Sequence, residues 1–207
     1  MRTHALIAAA ALLAAAPALA QTQQQRALGT QSQTGSPPPT DPATPAAGLG
    51  STATRGDALA APAFVRAAAT SDLYEMEASR LAEQRSQSAQ VKQFAQHMLR
   101  DHQKTTNELK GLLPQIQGVS ASQLPTGLDQ QHQALVQQLQ GAQQGAEFDR
   151  VFAQQQLQSH QAAVELFRAY AQSGDDAGLK QWATQTLPSL EEHLREAQQL
   201  LQPATRG

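Results

Sequence analysis

The chain of 207 residues carries 15 Lys and Arg against 17 Asp and Glu, for a formal net charge of −2, and it contains no cysteine. That charge offers no basic footprint for nucleic acid and no polybasic patch for an anionic membrane surface. With no cysteine there is no disulfide, no thiolate ligand and no thiol nucleophile, so stability must come from packing, with a bound metal as the remaining aid.

The first twenty residues, MRTHALIAAAALLAAAPALA, read as an export signal. Arg2 supplies a positive start, Ala5 to Ala16 an apolar run, Pro17 a helix break, and Ala18-Leu19-Ala20 a small-x-small cleavage site before Gln21. The apolar run is about 12 residues, short of the roughly 20 needed to span a bilayer. Cleavage would remove Arg2 and leave 14 basic against 17 acidic side chains, a net charge of −3. The expected location is the periplasm or the cell envelope, with no transmembrane segment in the mature chain. Residues 21–57 are rich in Gln, Thr, Ser, Pro and Gly and nearly free of large apolar residues. Such a stretch cannot bury enough surface to offset its ordering entropy, so it is expected to be a disordered linker, either a plain spacer or a tether to the cell wall or an envelope protein.

Residues 58–203 suit one all-helical domain, followed by a short tail at 204–207. The first helix is expected from Pro62, well placed in a first turn, to Arg85. The second starts at a Ser88 cap and ends at Leu113, before Pro114. A shorter helix covers Leu128 to Leu139. The fourth runs from Ala146 to Gln172 and stops at Ser173-Gly174. The fifth starts at an Asp175 or Asp176 cap and runs to Leu201, with a kink expected at Pro188. Four long helices and one short one make a helix bundle.

Helical wheels at 100° per residue place the chemistry-bearing side chains. On the second helix, His102 shares a face with Val91, Phe94, Ala95, Met98 and Leu109, while His97 lies roughly 140° away and is expected to face solvent. On the fifth, His193 shares the face of Trp182, Leu190 and Ala197. His160 flanks the face of Phe152 and Phe167 on the fourth. Glu75 falls on the face of Phe64, Ala68, Ala78 and Ala82 on the first. A carboxylate and several imidazoles are thus expected inside the bundle. Each would cost roughly 1–3 kcal/mol if buried without a partner. Two solutions fit: hydrogen bonding to one another, to Gln155, to Ser159 and to water, or ligation of a single transition-metal ion by Glu75, His102, His160 and His193. Imidazole suits zinc, copper and iron.

Four stretches, FVRAAATSDLYEMEASRLA (64–82), VKQFAQHMLRDHQKTTNELK (91–110), FDRVFAQQQLQSHQAAVELF (148–167) and TLPSLEEHL (186–194), resemble a bacterial envelope family with a ferritin-like domain of unknown function, often labelled "predicted outer membrane protein". The resemblance spans roughly residues 60–201. It implies a ferritin-like four-helix bundle with an additional short helix, and no particular activity. Di-iron proteins of ferritin-like fold carry Glu-x-x-His on two helices and two further carboxylates. Here Leu99, Leu157 and Leu190 stand three residues before His102, His160 and His193, where that motif would place glutamate. Di-iron chemistry is therefore not expected. The only acid-x-x-His pair, Asp129 and His132, reads as a helix-start carboxylate beside a half-buried ring.

Phosphate-binding Gly-rich loops, H-E-x-x-H and G-x-S-x-G are absent. Ser159 and His160 are neighbours on a helix and point about 100° apart, so they cannot pair as nucleophile and base. The expectation is an exported, non-enzymatic bundle with a structural, stress-related or binding role; the alternative is a mononuclear metal-binding protein.

Overall fold

The computed structural model describes residues 60–202, and every regular element in that span is helical. The export signal expected at 1–20, the linker at 21–57 and the tail at 204–207 lie outside the described residues. The elements are α1 (Ala61–Arg85), α2 (Ala89–Leu112), α3 (Gln130–Gly141), α4 (Ala146–Ser173) and α5 (Ala177–Leu200), with 3-10 turns at Leu113–Gln115 and Ala121–Gln123. None of these helices is long and apolar enough to cross a membrane.

Side chains fix the helix starts. Ser88 Oγ accepts from the Val91 amide at 3.3 Å, Asp129 Oδ1 from His132 at 2.8 Å, and Asp176 Oδ1 from Leu179 at 2.9 Å. Each satisfies an amide that the helix itself leaves free. Asp175 acts on a different helix, because its Oδ1 accepts from the Ala61 amide at 2.8 Å and the Tyr170 hydroxyl at 2.9 Å. It thus caps α1 from the α4–α5 turn and places a negative charge at the positive end of that helix. Beside it, Gly174 has no side chain because a Cβ there would lie 2.5 Å from the Tyr170 ring. α5 continues through Pro188. Pro188, which has no amide to donate to the Thr184 carbonyl, is exposed, as is Thr184.

Two apolar clusters make the core. One gathers Phe64, Leu109, Phe167, Tyr170, Trp182 and Leu190; the other gathers Tyr74, Phe94, Met98, Leu139, Phe148 and Phe152. α1 and α5 pass from the first cluster to the second, and α2 and α4 from the second to the first, which sets their directions. α1 pairs antiparallel with α2, and α4 with α5. The parallel pair α2 and α4 is joined by one long connection that travels back along the bundle and includes α3. A single long crossover is the connectivity that ferritin-like bundles use. Arg85 ties the far end of this connection down, donating to the carbonyls of Leu139 at 2.9 Å and Ala142 at 2.7 Å.

Between the two apolar clusters every long helix contributes polar residues to one level. Asp72 and Glu75 come from α1, His102 from α2, Gln155, Gln156, Ser159 and His160 from α4, and His193 from α5; all are buried. The bundle therefore has an apolar-polar-apolar section, and the polar layer is where its chemistry lies.

Candidate metal centre

His102, His160 and His193 meet in this layer. One nitrogen from each ring lies within 4.8 Å of one from each of the others, and ring centroids are 5.3 to 5.8 Å apart. The three residues are 4%, 1% and 2% exposed.

Each ring has one nitrogen engaged and one free. His102 Nδ1 is 2.8 Å from Asp72 Oδ1, His160 Nδ1 is 2.9 Å from the Gln156 carbonyl, and His193 Nε2 is 3.0 Å from Asp101 Oδ2. Carboxylates and carbonyls only accept, so each engaged nitrogen carries the hydrogen. The other nitrogen of a neutral ring is then a bare lone pair. These are His102 Nε2, His160 Nε2 and His193 Nδ1, and all three are buried with no hydrogen-bond partner. With all three rings neutral, three lone pairs converge with no donor among them. A proton can serve one or two of them; a metal cation serves all three. A hydrogen bond from the far nitrogen of a ligating histidine to a carboxylate or carbonyl is the usual support for metal ligation, because it sets the tautomer and raises ring basicity.

The supports are themselves held. Asp72 is buried, and its oxygens also accept from Thr105 Oγ1 at 2.9 Å and Thr106 Oγ1 at 2.9 Å. Burial pushes the pKa of His102 down, but the hydrogen bond and charge of Asp72, with Glu75 and Asp101 adding, outweigh it, and the net shift is upward. Burial lowers His160 against the pull of Glu75, and His102 lowers it further. Burial, followed by His160 and His102, takes His193 down to about 3. Two of the three free nitrogens, those of His160 and His193, are thus harder to protonate than an ordinary imidazole.

Glu75, the fourth residue expected here from the sequence, is 1% exposed and in the same layer. Its Oε1 accepts from Ser159 Oγ at 2.5 Å and lies 3.9 Å from His160 Nδ1, the engaged edge of that ring; its Oε2 has no hydrogen-bond partner. Glu75 therefore stands beside the three histidines rather than within their mutual 4.8 Å grouping. Leu190 is buried and Leu99 and Leu157 are half-buried, so apolar side chains do occupy the places of the di-iron glutamates.

His97 is the one marked departure from the wheel. It is half-buried, with Nδ1 3.0 Å from Glu196 Oε2 and Nε2 3.2 Å from Asp101 Oδ2. The wheel places a side chain relative to its own helix, and α5 comes alongside that flank of α2. His132, in contrast, stays apart from the layer, half-buried against the Tyr74 ring with Nδ1 2.7 Å from Asp129. A cavity of about 190 Å³ between α2 and α5 reaches Asp72, Asp101, His102 and His193, with Lys104, Glu108, Gln185 and Ser189 nearer the surface.

Helical periodicity alone singled out neither Asp72 nor Asp101. Asp72 lies one turn before Glu75 on the same side of α1, which is a legible signal. Asp101 has none, because its contact depends on where α5 sits.

The model of the family described as "Domain of unknown function (DUF4142)" matches residues 46–200. Among solved structures the chain is similar to "CopM in the Cu(II)-bound form", with a TM-score of 0.56 and 19% identity over 68% of this chain and 94% of that one. At that identity the likeness shows the fold alone. No curated protein matches.

Proposed function

The chain belongs to the DUF4142 family, described only as a domain of unknown function, and from the geometry of its polar layer we propose that it binds a single transition-metal ion in the bundle core. His102, His160 and His193 are the ligands, through the three nitrogens that lack hydrogen-bond partners. That trio of converging lone pairs is the observation that carries the reading. Asp72, Asp101 and the Gln156 carbonyl orient the rings. Glu75 balances the charge of the ion from beside the set.

Three imidazoles and no thiolate suit copper(II), zinc or iron(II) better than magnesium or calcium, which take oxygen ligands. Copper is the first ion to test, since the similar fold of CopM is named in its Cu(II)-bound form. Three protein ligands leave a tetrahedral ion one open position, and the cavity beside His102 and His193 gives a small ligand access to it. With the leucines at 99, 157 and 190, the set of carboxylates a di-iron pair needs is missing, so the role is to hold an ion rather than to oxidise iron. The signal-like residues 1–20 support an envelope location for that role, and the stretch at 21–57 supports a spacer or tether.

The test is the metal content of the mature chain, purified without a histidine tag and loaded separately with copper, zinc and iron. One ion per chain, lost on His102→Ala and His160→Ala, is expected. No ion under any load would leave a purely structural bundle as the correct reading.

A further inference from the structure

The polar layer does not end at His193. Its two ring nitrogens point two ways: Nδ1 is the buried free nitrogen, and Nε2 lies 3.0 Å from Asp101 Oδ2. The same Asp101 oxygen is 3.2 Å from His97 Nε2, and His97 Nδ1 is 3.0 Å from Glu196 Oε2. His97, Asp101 and His193 each offer an atom within 4.8 Å of the others. The side chains of His97, Asp101 and Glu196 are 27%, 31% and 34% exposed, against 2% for His193. A groove between α2 and α5, bordered by Gln93, Phe94, Arg100 and Gln199, opens onto His97 and Glu196.

Two features separate this cluster from an ordinary surface ion pair. First, both nitrogens of His97 face acceptor-only groups. A neutral imidazole has one N–H and satisfies one of them; the other requires a second proton or a cation between ring and carboxylate. Second, the cluster shares His193 with the buried trio, and its Asp101 holds the His193 ring. Rings step inward at nearly even intervals, 5.1 Å from His97 to His193 and 5.3 Å from His193 to His160.

We propose that His97, Asp101 and Glu196 form an outer cation subsite that captures a divalent transition-metal ion from solvent and passes it by way of His193 to the buried trio. The inference rests on the trio being a metal site. Glu196 and Asp101 attract the hydrated ion, and His97 favours ions that accept imidazole over magnesium and calcium. Arg100 in the same groove opposes a positive charge, so the ion is held loosely there, as a station that must release it requires. Asp101 is the shared element: it faces the captured ion on one side and holds the His193 ring on the other.

The test follows Cu(II) uptake by metal-free full-length protein at low ionic strength, mixing rapidly and reading visible absorbance. His97→Ala and Glu196→Gln should each slow loading about tenfold, the scale on which local charge raises association rates, and reach the same final occupancy as the unaltered chain. His132→Ala, outside the layer, should load at the normal rate. Normal loading rates in both His97→Ala and Glu196→Gln would overturn the proposal and point to the cavity at Ser189 as the route. Loss of final occupancy in those variants would also overturn it, by making His97 a ligand of the held ion. Failure of the underlying reading looks different: the unaltered chain would then show no occupancy at equilibrium, not a slow approach to it.

Discussion

Asp72 Oδ1 lies 2.8 Å from His102 Nδ1, a contact between α1 and α2 that decides which nitrogen of His102 is free to bind. The carboxylate in turn is fixed by Thr105 and Thr106, one turn further along α2. Removing a support of this kind typically weakens a metal site about 10- to 100-fold. Asp72→Ala should therefore lower the affinity for Cu(II) by that factor while leaving the saturated stoichiometry at one. Competition against a chelator of known affinity reads this directly. An unchanged affinity would mean that Asp72 plays no part in presenting the ring.

Metal binding should depend on pH through one histidine. The pKa of His102 is raised, so without metal this ring keeps its proton above the usual histidine range, and an entering ion must displace it. His160 and His193 are lowered and offer the ion little proton competition. Apparent affinity should then fall about tenfold per pH unit below the raised pKa of His102, and level off above it. Calorimetry in buffers of different ionisation enthalpy should count about one proton released per ion. A release near three would show that all three rings are protonated before binding.

The same shifts predict how the metal-free fold responds to acid. His160 and His193 have folded-state pKa values below the unfolded value of about 6.5. As pH falls below 6.5 the unfolded chain takes up protons that the folded chain refuses, so stability is lost, by up to about 1.4 kcal/mol per unit for each ring. His102 acts in the opposite sense: its stabilisation is fully present below 6.5 and fades as pH rises through its raised pKa. Denaturant melts in chelator between pH 6.5 and 5 should show the acid-side loss, and His193→Leu should flatten it. A slope unaffected by that change would contradict the burial of a neutral His193.

Function and stability should also separate by substitution. His160→Leu removes a buried nitrogen that has no partner, a group costing roughly 1–3 kcal/mol to leave unsatisfied. The metal-free protein should become no less stable, although it can no longer hold the ion. Phe152→Ala, 0% exposed in the neighbouring apolar cluster, should instead cost about 3–5 kcal/mol. Chemical denaturation of both variants in chelator makes the comparison. A large loss in His160→Leu would show that the polar layer holds the bundle together without metal.

The helices were legible because their apolar positions repeat at helical spacing and their ends carry Pro, Gly, Ser and Asp. The short helix begins at Gln130 rather than Leu128, since Asp129 is its cap and not a helical residue. The choice between Asp175 and Asp176 as the cap of α5 resolved into two caps on two helices, a division only tertiary contact can set. His102, His160 and His193 were legible as inward groups because each sits on or beside an apolar face of its own helix. Asp101 and the covering of His97 were not. Both depend on the register of α5 against α2, and single-helix periodicity carries no information about a neighbouring helix. Glu75 is buried as its face of the helix indicated, but the wheel gives only the face and not the distance that sets this carboxylate beside the three grouped histidines.

The coordination sphere of the loaded protein tests the central claim most directly. X-ray absorption at the metal edge of the zinc-loaded chain should show three imidazole nitrogens at about 2.0–2.1 Å, falling to two in His160→Ala if that variant retains any zinc. A sphere dominated by carboxylate oxygen, or one unchanged by His160→Ala, would contradict a metal centre built on His102, His160 and His193.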